Sequence, residues 1–154
     1  MLKQIAAVLL SVLLVSACTG GKKSGDFTSV GQVIPGTQSD LEANVGDRVF
    51  FAFDKSDLSA EAQETLKRQA AWMQQYSHAA VTVEGHCDER GTREYNIGLG
   101  ERRAHSVKKY LTSLGVAHDR ITTVSYGKER PAIAGATTEE ENGKNRRGVT
   151  VVSN

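Results

Sequence analysis

The residues most able to do chemistry lie in one run, Gly85-His86-Cys87-Asp88-Glu89-Arg90-Gly91-Thr92-Arg93, with Arg102 and Arg103 a little further on. His86, Cys87, Asp88 and Glu89 are all potential metal ligands. Consecutive residues point in different directions, however, and no second Cys-x-x-Cys or His-x-x-x-His completes a coordination shell. His78, His105 and His118 are scattered, so no metal and no cofactor is expected. Cys87 as a nucleophile would need a base held within hydrogen-bond reach. His86, next to it in sequence, is poorly placed for that, and a small half-buried thiol in a loop is the simpler reading. The remaining chemistry is recognition of charge. Asp88 in the loop and Arg102 or Arg103 on the following helix could grip a zwitterion, the carboxylate taking an ammonium and the guanidinium taking a carboxylate in a bidentate fork. Free amide N–H groups at the start of that helix could add to the anion side. A structural Asp–Arg salt bridge uses the same residues, and the residues alone leave both readings open.

The elements around this run can be read from its flanks. Arg48–Phe53 (RVFFAF) is aromatic and β-branched and reads as a strand. Asp54–Asp57 is a turn. Ser59 is a helix N-cap candidate, with Glu61 and Glu64 early and Lys67 and Arg68 later, as a helix dipole favours. Ala62, Leu66, Ala70 and Met73 recur at helical spacing, which predicts a helix to about Tyr76. Ala80–Glu84 reads as a second strand, and Gly85–Thr92 as a polar loop. Arg93 to Leu114 reads as a second helix, its buried face marked by Ala104, Val107, Leu111 and Leu114, with Gly115 as the stop. Ile121–Tyr126 is a third strand. Thr138-Glu139-Glu140-Glu141 has the form of a capping box, and Val149–Val152 is a last strand. The order βαβαβ(α)β implies an α/β (α+β) sandwich, a mixed sheet with helices packed on one face. The charged run then lies beyond a strand end, a favoured place for ligands in such folds.

The chain has 154 residues, enough for one domain with extra segments. A formal net charge of +1 argues against bulk attraction to nucleic acid. Arg146 and Arg147 have no aromatic platform or basic surroundings, so no nucleic-acid partner is expected and a structural or protein-contact role is preferred.

The N-terminus carries an address. Lys3 precedes an apolar run, Ile5–Val15, too short to span a bilayer, which needs roughly 20 residues. It fits the core of a secretory signal peptide, residues 1–17. Ser16-Ala17-Cys18 resembles the lipobox of bacterial lipoproteins, in which Cys18 becomes an acylated N-terminus. Thr19 follows instead of Asp, which in Gram-negative lipoproteins favours the outer membrane. Removal of 1–17 takes away Lys3 and no acid, leaving 18 bases against 18 acids and Cys87 as the free thiol. Residues 18–44 are rich in Gly, Ser, Thr, Gln and Lys with isolated apolar residues, and read as a lipidated flexible tether. Such a tether would reach at most roughly 90 Å stretched and about 30 Å as a coil. The folded domain is then expected over 45–154.

The stretch Thr82–Ala104 closely resembles the signature of outer membrane protein A-like domains, and within them the peptidoglycan-associated lipoproteins of the Tol–Pal system. Phe50–Asp54 (FFAFD), Ser125–Pro131 and Asn145–Arg147 extend the resemblance across about residues 48–152. It implies a non-enzymatic lipoprotein of the outer membrane, facing the periplasm. That protein would bind peptidoglycan stem peptide through meso-diaminopimelate, tether membrane to wall, and serve envelope integrity and cell division. It also implies TolB as a partner, with TolA as a second candidate. Asp88 falls on the family's ligand-binding aspartate and Arg103 on its arginine. Phe53 and Asp54 fall on a further contact region, and Asn96 on an asparagine lining the site. Cys87 and Gly148 depart from the common residues at their positions.

Overall fold

A computed structural model describes residues 33–153. The strand alternation at Val81 and Val83 and the helical spacing of Leu66, Met73, Val107 and Leu111 resolve into a shared core, in which all six side chains are fully buried. The elements are α1 (Gln38–Asp40) running into a π-helical turn (Leu41–Val45), β1 (Arg48–Phe50), α2 (Ala60–Gln75), β2 (Val81–His86), α3 (Arg93–Ser113), a short 3₁₀ turn (His118–Arg120), β3 (Ile121–Gly127), α4 (Glu139–Asn145) and β4 (Arg147–Val152). The sheet order is β1-β4-β2-β3. β4 runs antiparallel to both β1 and β2, while β2 and β3 are parallel and joined through α3. The expected mixed sheet with helices and its element order are therefore present.

The helix ends follow the expected capping chemistry. Ser59 Oγ accepts the Ala62 N–H, and Thr92 Oγ1 accepts that of Tyr95. Thr138 and Glu141 form a full capping box at α4. Gly115 (φ +98°) stops α3, and the Val116 N–H returns to the Leu111 carbonyl in the manner of a glycine C-cap.

Four boundaries differ from the sequence reading by two residues or more, one of them the last strand, which starts at Arg147 instead of Val149. The first strand ends at Phe50, not Phe53. Phe51 still bonds the Arg146 carbonyl, but the chain then turns, with Lys55 N–H on the Ala52 carbonyl and Asp54 in the left-handed region (φ +56°). β2 runs on through Gly85 and His86 because both find partners across the sheet. The folded domain also starts well before Val45. Leu41 is fully buried, and Asp40 accepts hydrogen bonds from Gly36 N–H, Asn44 Nδ2 and Trp72 Nε1. Burying one leucine contributes about 1.5–3 kcal/mol, enough to hold this segment down. The tether expected over 18–44 thus gives way to folded chain by Gly36. Its remaining part and Cys18 lie outside the described residues.

Glycine permits the approach that positions the site. A Cβ on Gly85 would collide with the backbone carbonyl of Gly100, so β2 and α3 touch main chain to main chain. This close seating brings the first half of α3 over the end of β2.

Candidate functional site

Where β2 ends, the chain enters the loop His86–Thr92 and then α3. The first turn after β1 lies against both. Together they enclose a cavity of about 230 Å³ lined by Phe53, Asp54, Cys87, Asp88, Arg90, Gly91, Tyr95, Asn96, Leu99 and Arg103. The five ligand-binding candidates from sequence, Phe53, Asp54, Asp88, Asn96 and Arg103, all lie on this one wall.

Arg103 has no exposed surface. Its Nε donates to the Lys55 carbonyl (2.8 Å), Nη1 to the His86 carbonyl (2.8 Å) and Nη2 to the Ala52 carbonyl (3.2 Å). These bonds tie the turn after β1 to the end of β2. Among the described residues Arg103 forms no ion pair. Burial lowers its pKa from the ordinary arginine value, but a guanidinium remains charged across the physiological range. The site therefore holds a buried cation that rests on three carbonyl dipoles and the Phe51 ring and feels the Asp88 charge without a direct ion pair, so an anion that reached it would be favoured.

Asp88 is differently placed. Its Oδ1 accepts the Arg90 N–H (3.2 Å), while Oδ2 accepts Arg90 Nη2 (2.6 Å) and Arg146 Nη1 (3.2 Å). Burial pushes the carboxyl upward, and the bonds from Arg90 and Arg146 outweigh it, so the pKa falls below the usual carboxylate value. The Asp88–Arg103 salt bridge that sequence left open is not formed.

Asn96 holds the loop: its Nδ2 donates to the Arg90 carbonyl (2.9 Å), and its own carbonyl accepts the Cys87 thiol (3.3 Å). Cys87 is buried, not half-buried, and burial raises its pKa, which keeps the sulfur a thiol. Asp54 accepts a hydrogen bond from Tyr95 Oη, fixing the tyrosine at the cavity rim. Phe53 is more than half exposed, with the Arg90 guanidinium 4.1 Å from its ring centroid. Sequence reasoning missed two participants, Arg90 and Arg146. Arg146 is buried, and its Nε also donates to the Phe51 carbonyl (2.9 Å). Arg147 is buried too, with bonds to the Asn145 and Arg130 carbonyls, so this pair is internal structure.

Comparison with known proteins agrees with this geometry. The model of the OmpA family matches residues 50–146. The chain belongs to the OmpA family. Among OmpA-family relatives, the peptidoglycan-associated lipoprotein of Brucella melitensis is 46% identical over 155 residues, covering 97% of this chain and 91% of that protein. That of Agrobacterium fabrum is 51% identical over 124 residues, 79% of this chain and 68% of that one. The crystal structure of the peptidoglycan-associated lipoprotein from Burkholderia pseudomallei superposes with a TM-score of 0.67 at 34% identity, over 70% of this chain and 90% of that chain. Within the OmpA family the chain thus groups with the peptidoglycan-associated lipoproteins, which are non-enzymatic.

Proposed function

We propose that this OmpA-family domain binds peptidoglycan non-covalently and, anchored through lipid on Cys18, tethers the outer membrane to the cell wall from the periplasmic side. The observation that carries the reading is the pairing of Asp88 with an ion-pair-free, buried Arg103 on one small cavity. A carboxylate and a guanidinium without an ion pair lining one cavity suit a ligand with an ammonium and a carboxylate on one carbon. The free end of meso-diaminopimelate in an uncrosslinked stem peptide is such a group. Asp88 takes the ammonium and Arg103 the carboxylate, each bond being charge-assisted. Phe53, Asp54 and Asn96 shape the entrance and hold the loop. Nothing in this requires a reacting group, a metal or a cofactor.

The family resemblance adds that the domain works in the Tol–Pal system, exchanging between wall and TolB, with TolA as a second partner, in envelope integrity and cell division. The test is co-sedimentation of the full chain, in mild detergent, with purified sacculi of diaminopimelate type. Parallel samples carry Asp88→Asn and Arg103→Lys, each checked for folding. Pelleting of the parent and its loss in both folded variants supports the reading. A parent that stays in the supernatant sinks it. Release of pelleted chain by added TolB tests the partner assignment.

A further inference from the structure

Asp88 already carries two cations. Arg90 Nη2 and Arg146 Nη1 both donate to its Oδ2, and the Arg90 N–H occupies Oδ1. A carboxylate offers about four acceptor positions, so about one is left. An incoming ammonium brings three donors and a third positive charge to a carboxylate that is only 5% exposed. The ammonium therefore competes with a resident cation for this carboxylate, and Glu139, which pairs both arginines, can keep the one displaced.

The two arginines are not equally free to leave. Arg146 is 9% exposed and is fastened by the Phe51 carbonyl and Glu139. Arg90 is 40% exposed and belongs to the loop between β2 and α3. Away from Asp88 it still has the Glu139 carboxylate (3.2 Å) and the Phe53 ring (4.1 Å). Phe53 lines the cavity and Glu139 is an exposed carboxylate, so the guanidinium can swing outward without losing all its partners.

We infer that Arg90 is a gate: its guanidinium stands in for the ligand ammonium on Asp88, and a ligand must carry its own ammonium to displace it. The inference rests on the proposed zwitterion site and adds selectivity to it. A ligand with carboxylates alone finds Arg103 but cannot replace Arg90 charge for charge. The Arg90–Asp88 contact also lowers apparent affinity, because only the fraction of molecules with Arg90 displaced can bind.

The experiment is calorimetric titration of the full chain in detergent with two probes. One is meso-diaminopimelate. The other is pimelate, which has the same carbon chain and both carboxylates but no ammonium. Arg90→Gln removes the cation and keeps much of the bulk. It is expected to bind meso-diaminopimelate about tenfold more tightly than the parent, as expected when a competing state of roughly 90% population is removed. Pimelate binding should not improve. In parallel, NMR of the parent's Arg90 guanidinium is expected to report loss of the Asp88 bond when meso-diaminopimelate is added, a readout that does not depend on the variant folding. Unchanged or weaker binding by Arg90→Gln, with the Arg90 signal undisturbed, overturns the gate. If Asp88→Asn and Arg103→Lys still abolish binding in that case, the zwitterion site itself survives. Absence of binding by both parent and Arg90→Gln takes down the site and the gate together.

Discussion

Arg146 Nη1 lies 3.2 Å from Asp88 Oδ2, joining the start of β4 to the loop after β2 across 58 positions of sequence. The same guanidinium holds the Phe51 carbonyl and Glu139. Arg146 is therefore the internal support of the Asp88 carboxylate, and it fixes the place where β1 leaves the sheet.

The first prediction concerns that support. Arg146→Ala leaves Asp88 buried with Arg90 as its one remaining cation and strips the Phe51 carbonyl of this donor. Breaking a buried charge pair from one side costs about 3 kcal/mol. Urea denaturation should show a fall of that order, with sacculus binding reduced in the fraction that stays folded. A loss below about 0.5 kcal/mol, the size of an ordinary surface substitution, would mean that Arg146 does not hold Asp88.

Much of this site was legible in the sequence, and the omissions have physical causes. Asp88, Asn96 and Arg103 sit within one strand–loop–helix unit, so their spacing alone brings them near one another. The caps at Ser59 and Thr138 are local rules and appear where expected. Arg146 could not be found that way. Its partners are distant in sequence, and beside Arg147 it reads only as one of a pair with a structural or protein-contact role, with no partner named. The early end of β1 has the same origin, since Phe51–Phe53 is an apolar run whose path is set by Arg103, Arg146 and the left-handed turn at Asp54. Leu41 was missed because a single apolar residue among polar ones has no period.

A second prediction follows from His86. Its burial, and next the positive Arg147, lower its pKa against the opposing hydrogen bond that its ring donates to Glu84. Nδ1 is buried and has no partner among the described residues. The folded state thus prefers neutral histidine, whereas an unfolded histidine titrates near 6.5. This contribution to stability is complete above about pH 6.5 and is lost as pH falls through the lower folded value. Asp88 also has a depressed pKa, but its contribution persists until pH drops below about 3.9. Between about pH 7.5 and pH 5.5, roughly a unit either side of free histidine's midpoint, His86→Gln should flatten the decline in urea midpoint. An unchanged slope would place the acid-sensitive group elsewhere.

The third prediction tests the contact of β2 with α3. A methyl at Gly85 meets the Gly100 backbone carbonyl, and no flexible side chain is there to yield. Gly85→Ala should cost at least about 3 kcal/mol, the upper part of the usual range for overpacking. The helix it displaces carries Asn96 and Arg103, so ligand binding should fall further than stability alone explains. Near-parent stability and binding in Gly85→Ala would show that the helix can shift without moving the site.

The fourth prediction concerns the start of the domain. Leu41 is buried without remainder, and Asp40 accepts the indole N–H of Trp72 at 2.9 Å. Leu41→Ala should cost about 2–5 kcal/mol, as for other buried leucines. A chain beginning at Val45 loses both Leu41 and the Asp40 bond, so it should be less stable than Leu41→Ala in a chain beginning at Val33. Trp72 is the single tryptophan and is 5% exposed, so its fluorescence reports this packing directly. The Val45 chain should emit at longer wavelength than the Val33 chain under native conditions. Equal urea midpoints and equal emission for the two would mean that residues 33–44 add nothing to the fold, and that the domain starts only at Val45.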